Sequence, residues 1–149
     1  MKYYKKLEIE CHDGNCGTYH YNELFTISNE KVKYVKETID SIGIDAERFI
    51  EKNEWSYDIL DKYKTILFND LCSIYLEEKE NALISEGCDC STFIVKVVFD
   101  DNTEIKQTYF NNMESNRLFK TIQAIENFIP RNATRPTFIK EEYEEEGIY

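Results

Sequence analysis

Phe93-Ile94-Val95-Lys96-Val97-Val98-Phe99 is the stretch that decides the fold, because seven residues rich in β-branched and aromatic side chains predict a strand. Both faces of this strand are largely apolar, so we expect it to lie in the interior of a sheet. The residues that follow, Asp100-Asp101-Asn102, predict a tight turn. Polar and apolar side chains then alternate over residues 104–110, which indicates a hairpin partner nearer an edge of the same sheet.

The first forty residues show the same two-residue period. Residues 3–11 alternate, with apolar side chains at every second position from Leu7 to Cys11 and mostly charged side chains between them. Two further strands are predicted at residues 19–27 and 31–37. Three sequential strands joined by short turns should pair as an antiparallel meander.

The middle of the chain changes to a helical period. Residues 44–50 predict a short helix with Asp45 as its cap, and Ser56 is the candidate N-cap of a much longer helix that ends near Glu80. We expect this helix to lie across the sheet on its apolar stripe, which consists of Leu60, Tyr63, Leu67, Leu71 and Ile74, widened by Ile59, Ile66 and Tyr75.

A last helix is predicted after the hairpin. It begins at Asn112 or Ser115, and Pro130 ends it. Its apolar stripe consists of Leu118, Phe119, Ile122, Ile125, Phe128 and Ile129.

The predicted order is therefore βββαββα, in the α+β class. We expect an antiparallel sheet of about five strands with two long helices packed on one face. Residues 1–139 should form a single domain, since 149 residues are enough for one core and too few for two comfortable ones. Residues 140–149 should form a mobile acidic tail, because five carboxylates among the six positions 141–146 cannot be buried together.

The formal net charge of −11 restricts the choice of partners. Such a charge repels phosphates and anionic lipid, so we expect no direct binding to nucleic acid or to a membrane, and we expect a basic protein partner. The N-terminal residues lack the apolar stretch of a secretory signal, and the cysteine count is odd, as is typical of a reducing compartment. The expected location is therefore cytoplasmic.

Two close pairs of cysteines suggest a metal site. Cys11 and Cys16 flank a turn, and Cys88 and Cys90 precede the strand at 93–99. If the strands at 3–11 and 93–99 are neighbours, four thiolates could converge on a structural zinc ion that joins the two turns. One alternative is that Cys11 is a small buried hydrophobe and that the other three are free thiols, with no cofactor at all. Another is a disulfide within either pair, which requires an oxidising environment. Cys72 lies in the long helix and is predicted to be a core residue.

An enzyme that uses cysteine and histidine is a weaker hypothesis. His12 or His20 could activate Cys16, with Asp13 orienting the ring. However, nothing in that stretch supplies a helix N-terminus or a glycine-rich nest for an oxyanion. We therefore predict that the protein is not an enzyme.

Acidic and aromatic side chains provide the leading functional hypothesis, which is a non-enzymatic protein that docks onto a basic protein surface. Carboxylates spaced along a helix can occupy a groove that normally receives a nucleic-acid backbone, as inhibitors of nucleases and CRISPR-type effectors often do. In its most specific form, this hypothesis is that the protein is an inhibitor encoded by a phage or a mobile element. The alternative is a structural or adaptor module that is held together by zinc. The predicted contact residues are Asp58, Asp61, Glu77, Glu80, Trp55, Tyr57, Tyr143, Glu144 and Glu145.

Overall fold

The computed structural model describes residues 2–12, 19–40, 48–84 and 91–139. Six strands and two helices lie within these ranges. None of the helices found there is long and apolar enough to cross a membrane. The elements in chain order are β1 (Tyr4–His12), β2 (Tyr19–Ser28), β3 (Lys31–Asp40), β4 (Arg48–Asp58), α1 (Lys62–Glu78) with a 3₁₀ turn (Lys79–Asn81), β5 (Thr92–Phe99), β6 (Glu104–Phe110) and α2 (Phe119–Glu126).

One antiparallel sheet contains all six strands in the order β4-β3-β2-β1-β5-β6. The predicted α+β class is therefore confirmed, and so is the antiparallel meander of β1, β2 and β3. β5 lies inside the sheet between β1 and β6, and β6 forms an edge, both as expected. The sheet has one strand more than the five that we predicted.

The additional strand is β4, at the position where the sequence predicted the short helix and the start of the long one. Ser56 is not a helix cap, because it lies within β4 opposite Lys33 of β3. The true cap is Asp61, whose carboxyl oxygen accepts a hydrogen bond from the backbone N–H of Lys64 at 2.8 Å. Asp58, two residues after the predicted cap, is the last residue of β4.

One face of the sheet carries the core. Apolar side chains at alternate positions line up across the strands, and the central row consists of Trp55, Tyr34, Phe25, Ile9 and Val95. All of these except Trp55 are fully buried. The opposite face carries charged and polar side chains such as Glu8, Glu10 and Lys96. We call it the open face. The difference between the two faces explains why apolar and charged residues alternate so regularly along β1.

Helix α1 packs on the core face through Phe68, Leu71, Cys72 and Tyr75. Two hydrogen bonds of 2.9 Å join it to the sheet, one between the hydroxyls of Tyr75 and Tyr109 and the other between those of Tyr4 and Ser73. Cys72 is buried, as predicted, and its burial raises the pKa of its thiol to about 12.

Helix α2 has only eight residues, and the prediction that it starts at Asn112 or Ser115 was wrong. Residues 112–117 form turns instead, because the buried side-chain amide of Asn116 donates to the carbonyls of Phe110 and Asn112 at 2.7 Å. Arg117 then takes a positive φ of 62°, which breaks any helix at that point.

The C-terminal part of the described chain belongs to the same core. Phe138 packs between the rings of Phe25 and Phe93, at centroid distances of 6.0 and 6.3 Å. The carbonyl of Phe138 also accepts a 2.7 Å hydrogen bond from the backbone N–H of Met113. The predicted acidic tail, residues 140–149, lies outside the described residues.

Candidate functional site

The outward side of α1 and the linker before it expose three large apolar side chains. Leu60, Tyr63 and Ile66 have 93%, 67% and 55% of their surface exposed. The apolar stripe in the sequence predicted that Leu60, Tyr63 and Ile66 would face the core, and this was wrong. The helix is turned so that Phe68, Leu71, Cys72 and Tyr75 point inward, which leaves Leu60, Tyr63 and Ile66 facing solvent.

Acidic side chains surround this apolar group. Asp58 and Asp61 lie on either side of the linker that contains Leu60, and Asp70 is one turn beyond Ile66 on the same helix. All three are exposed, and among the ion pairs within the described ranges none includes any of them. We name Leu60, Tyr63 and Ile66 with Asp58, Asp61 and Asp70 the α1 patch.

A lysine within the same segment points away from the patch. The ammonium of Lys64 donates to the backbone carbonyl of Asn127 at 2.5 Å and lies over the rings of Tyr57 and Phe128, 5.7 and 5.3 Å from their centroids. The positive charge of Lys64 is therefore used to join α1 to the segment after α2.

The other two predicted acidic residues lie at the far end of α1. Glu77 and Glu80 are both exposed, and Glu80 forms an ion pair of 3.5 Å with Lys79. Sixteen residues separate Glu77 from Asp61, which corresponds to about 24 Å along a helix. The structure therefore does not bring the four predicted helix acids into one cluster.

The side chains of Trp55 and Tyr57 take part in the packing of the fold. Both are half-buried on the core face of β4, where their rings stack at 6.2 Å. The indole N–H of Trp55 donates to the carbonyl of Thr134 at 2.9 Å, and the hydroxyl of Tyr57 donates to that of Phe128 at 2.6 Å. Burial raises the pKa of Tyr57 to about 12. Their use as interface anchors stays a prediction.

The remaining predicted contact residues, Tyr143, Glu144 and Glu145, lie outside the described residues. The sequence analysis missed Tyr63 and Ile66 as surface residues. Periodicity alone could not have found them, because Tyr63 and Ile66 belong to the same predicted stripe as Leu71 and Tyr75, which are buried.

The condition for the proposed zinc site is met by the strand order. β1 and β5 are antiparallel neighbours with His12 opposite Thr92, so residues 13–18 and 85–90 attach to the same end of the sheet. Cys11 itself is fully buried on the core face, where its Sγ lies 3.9 Å from the hydroxyl of Thr137. Burial raises the pKa of its thiol far above the usual range.

The other three predicted ligands, Cys16, Cys88 and Cys90, lie outside the described residues. Within the ranges that the structure does describe, no three His, Cys, Asp or Glu side chains are grouped for a metal ion. The zinc site therefore stays a prediction.

His12 and Cys11 cannot act together, because they point to opposite faces of β1. On the open face, the His12 ring contacts the side-chain oxygen of Asn22 at 2.5 Å and Glu10 at 3.1 Å. Of the other catalytic candidates, Cys16 and Asp13 lie outside the described residues, and the side chain of His20 does too. The hypothesis that His12 or His20 activates Cys16 therefore stays a prediction.

A buried carboxyl group is the polar feature that the sequence analysis missed. Glu23 lies on the core face between Tyr21 and Phe25, and it is 2% exposed. Its oxygens accept hydrogen bonds from the hydroxyl of Tyr34 and from both the backbone N–H and the hydroxyl of Thr137. Strict alternation along β2 would have placed Glu23 on the core face.

Comparison with models of known protein families finds no match for this chain, and comparison with curated protein sequences finds none either.

Proposed function

We propose that this protein is a non-enzymatic binding protein that docks its α1 patch onto a basic surface of a partner protein. One observation supports the proposal above the others. Leu60, Tyr63 and Ile66 present exposed apolar area on a single helical turn and its linker, and carboxylates flank them at both ends. Interfaces typically combine such an apolar centre with a polar rim.

The apolar area and the charges of the α1 patch favour docking onto a basic protein. An exposed tyrosine beside two aliphatic side chains can bury a large area against a partner, at about 25 cal/mol per Å² of apolar surface removed from water. The surrounding carboxylates disfavour acidic partners and favour a basic one. The net charge of −11 acts at longer range, since it steers a basic partner toward the protein and accelerates association at low salt.

The rigid support of α1 also favours this use. The helix is joined to the sheet through Tyr75 and Ser73, and Glu78 at its end binds the N-terminus of α2. A surface that is already ordered before binding loses little conformational entropy on association, so more of the contact energy appears as affinity.

A nucleic-acid-handling enzyme is the partner class that we propose. Such enzymes carry grooves lined with lysine and arginine, and a small acidic protein can occupy a groove of this kind in place of the phosphate backbone. In its most specific form, the proposal is that the protein is an inhibitor encoded by a phage or a mobile element. It is supported by the charge and the size of the chain, by analogy with inhibitors of that type.

Affinity capture with matched variants tests the proposal. The tagged protein is compared with a Tyr63→Ala/Ile66→Ala variant and with Tyr3→Ala, which removes an exposed ring from the start of the sheet. We expect a basic protein that is captured by the wild type and by Tyr3→Ala, that is lost with the double variant, and that is released as the salt concentration rises. Capture of the same proteins by all three would contradict the proposal.

A zinc-stapled structural or adaptor module is the second candidate function. The observation that favours it is the pairing of β1 with β5, which attaches the two cysteine-bearing segments to one end of the sheet. In that case zinc would act in folding, since a closed four-ligand site leaves no open position for chemistry.

A further inference from the structure

Among the residues that the structure describes, strand β4 forms an edge of the sheet that no other strand pairs with. It pairs with β3 alone, and within the described ranges no backbone hydrogen bond joins residues 51–58 to any other segment. β4 has 11 residues, against seven for β6 at the opposite edge. Alternate residues of β4 therefore direct backbone N–H and C=O groups outward, which is the geometry that accepts another strand.

We propose that β4 pairs with β4 of a second copy of this chain, antiparallel about a two-fold axis at Asn53. This inference goes beyond the proposed function, since it concerns self-association at a different surface. In this register Lys52 lies opposite Glu54 of the second copy, and by symmetry Glu54 lies opposite its Lys52. A two-fold contact of this kind uses the same surface on both copies and closes on itself.

Lys52 and Glu54 form the centre of this contact on the open face. Within one chain, the Lys52 ammonium and the Glu54 carboxylate are 3.9 Å apart, and the two side chains are 44% and 51% exposed. The axis doubles this pair into a square of alternating charges, so that each ammonium has a carboxylate on either side. Directly opposite side chains in such a ladder have their Cβ atoms about 4.5–5.5 Å apart, which is close enough for these ion pairs.

The same charges select the register. An axis moved by one residue, to Lys52 or to Glu54, would place two like charges directly opposite each other, which is unfavourable. On the other face of the strand, the axis at Asn53 sets Asn53 opposite Asn53, and each amide has both a donor and an acceptor for the other. Charged side chains at the edge of a sheet usually prevent that edge from pairing with another strand. A self-complementary set of charges still disfavours unrelated strands, but it allows the strand to pair with a second copy of itself.

The segment that would pair is regular. Pairing of β4 with β3 runs without interruption from Glu51 opposite Thr38 to Asp58 opposite Lys31. The register shift between Thr38 and Ile39 comes just before this segment, so it does not distort residues 51–55. Five residues on each copy can therefore form a continuous ladder.

Sedimentation velocity over a concentration series tests the proposal. We expect the wild type to form dimers, and Lys52→Glu, which places a carboxylate opposite Glu54, to raise the dimer Kd about ten-fold or more. The swap Lys52→Glu/Glu54→Lys should restore the dimer. Lys106→Glu makes the same change of charge on exposed β6 and should leave the Kd unchanged.

Three results of this experiment would overturn the proposal. They are a wild type that stays monomeric up to millimolar concentration, equal weakening by Lys52→Glu and Lys106→Glu, and a charge swap that fails to restore the dimer. Circular dichroism of each variant identifies any that has not folded.

Disulfide cross-linking gives an independent test that does not change the net charge. The axis places two copies of residue 53 about 4.5–5.5 Å apart at Cα, within the range that a disulfide spans. Residues at position 56 would be roughly 20 Å apart. We expect Asn53→Cys to form a covalent dimer on mild oxidation, in excess of the wild type and of Ser56→Cys. Equal cross-linking of the three proteins would overturn the register.

Discussion

The carboxyl group of Glu23 accepts two hydrogen bonds from Thr137, one from its backbone N–H at 2.8 Å and one from its hydroxyl, across 114 residues of chain. A third bond comes from the hydroxyl of Tyr34. This buried group therefore fastens the C-terminal segment of the described chain to the middle strands of the sheet. The hydrophobic contacts of Phe138 lie directly beside it.

Removal of the Thr137 hydroxyl should destabilise the protein. Thr137→Val keeps the shape of the side chain but leaves a buried carboxyl oxygen with one partner fewer, and we expect a loss of about 1–3 kcal/mol in the free energy of unfolding. Urea denaturation measures this loss. Thr108→Val on exposed β6 is the matched control and should change stability by less than about 0.5 kcal/mol. Equal stability of the two variants would show that the Glu23 contact contributes nothing.

The hydroxyl pair of Tyr75 and Tyr109 should show non-additive mutational effects. Both rings are buried and their oxygens are 2.9 Å apart. Either single change to Phe leaves the other hydroxyl without this partner and should cost about 1–2 kcal/mol, whereas the double change should cost clearly less than the sum. A double-mutant cycle by chemical denaturation measures the coupling, and strict additivity would contradict the contact.

Glu78 should contribute to stability as the N-terminal partner of α2. Its carboxylate accepts from the backbone N–H groups of Lys120 at 2.9 Å and Thr121 at 2.8 Å, and from the Thr121 hydroxyl at 2.8 Å. Glu78→Ala should lower the free energy of unfolding by about 1–2 kcal/mol.

The neighbouring Glu77 supplies the control for this prediction. It is exposed, so Glu77→Ala should change the stability by less than about 0.5 kcal/mol. Thermal and urea unfolding compare the two variants, and a similar effect of both substitutions would argue against the cap.

Alkaline pH should unfold the protein partly through Cys72. Burial raises the pKa of this thiol from its ordinary value of 9.0 to about 12, so the unfolded chain loses the proton first. The stabilisation that arises from this difference in pKa is fully present below pH 9 and is lost as the pH rises toward 12. Over that pH range the free energy of unfolding of Cys72→Ala should fall less steeply than that of the wild type. The difference in slope is at most one proton, or about 1.4 kcal/mol per pH unit. Parallel curves for the two proteins would contradict this.

The zinc alternative makes a chemical prediction. A protein stapled by zinc should retain about one equivalent of the metal after purification, and a chelator should lower its melting temperature. Elemental analysis and thermal scans with and without chelator measure these two properties, and Cys16→Ser should reduce the zinc content. A metal-free protein whose melting temperature ignores the chelator would remove this candidate.

Parts of the fold that depend on neighbouring residues were predictable. The β5–β6 hairpin follows from residues 93–110 alone, because alternation and a tight turn are local properties. β4 was missed because Ser56, Asp58 and Asp61 resemble the acidic start of a helix, whereas the segment is in fact held as a strand by its pairing with β3. Pairing with a neighbouring strand can override the local helical propensity of such a segment.

The candidate surface was predictable only in part. The acidic character of Asp58 and Asp61 is a matter of composition, and their exposure agrees with it. The exposure of Leu60 and Tyr63 could not be derived, because both belong to the predicted stripe that also contains the buried Leu71 and Tyr75. Which part of this stripe is buried depends on where the sheet and α2 lie.

The sequence by itself determined the periodicity of the strands, the antiparallel hairpins and the negative charge, since each of these depends on residues within a few positions of one another. Only the tertiary structure decided the edge position of β4, the inward side of α1 and the contact between Glu23 and Thr137. The physical reason is that these features arise where distant segments meet. The free energy of that packing, and not local preference, selects which faces are buried.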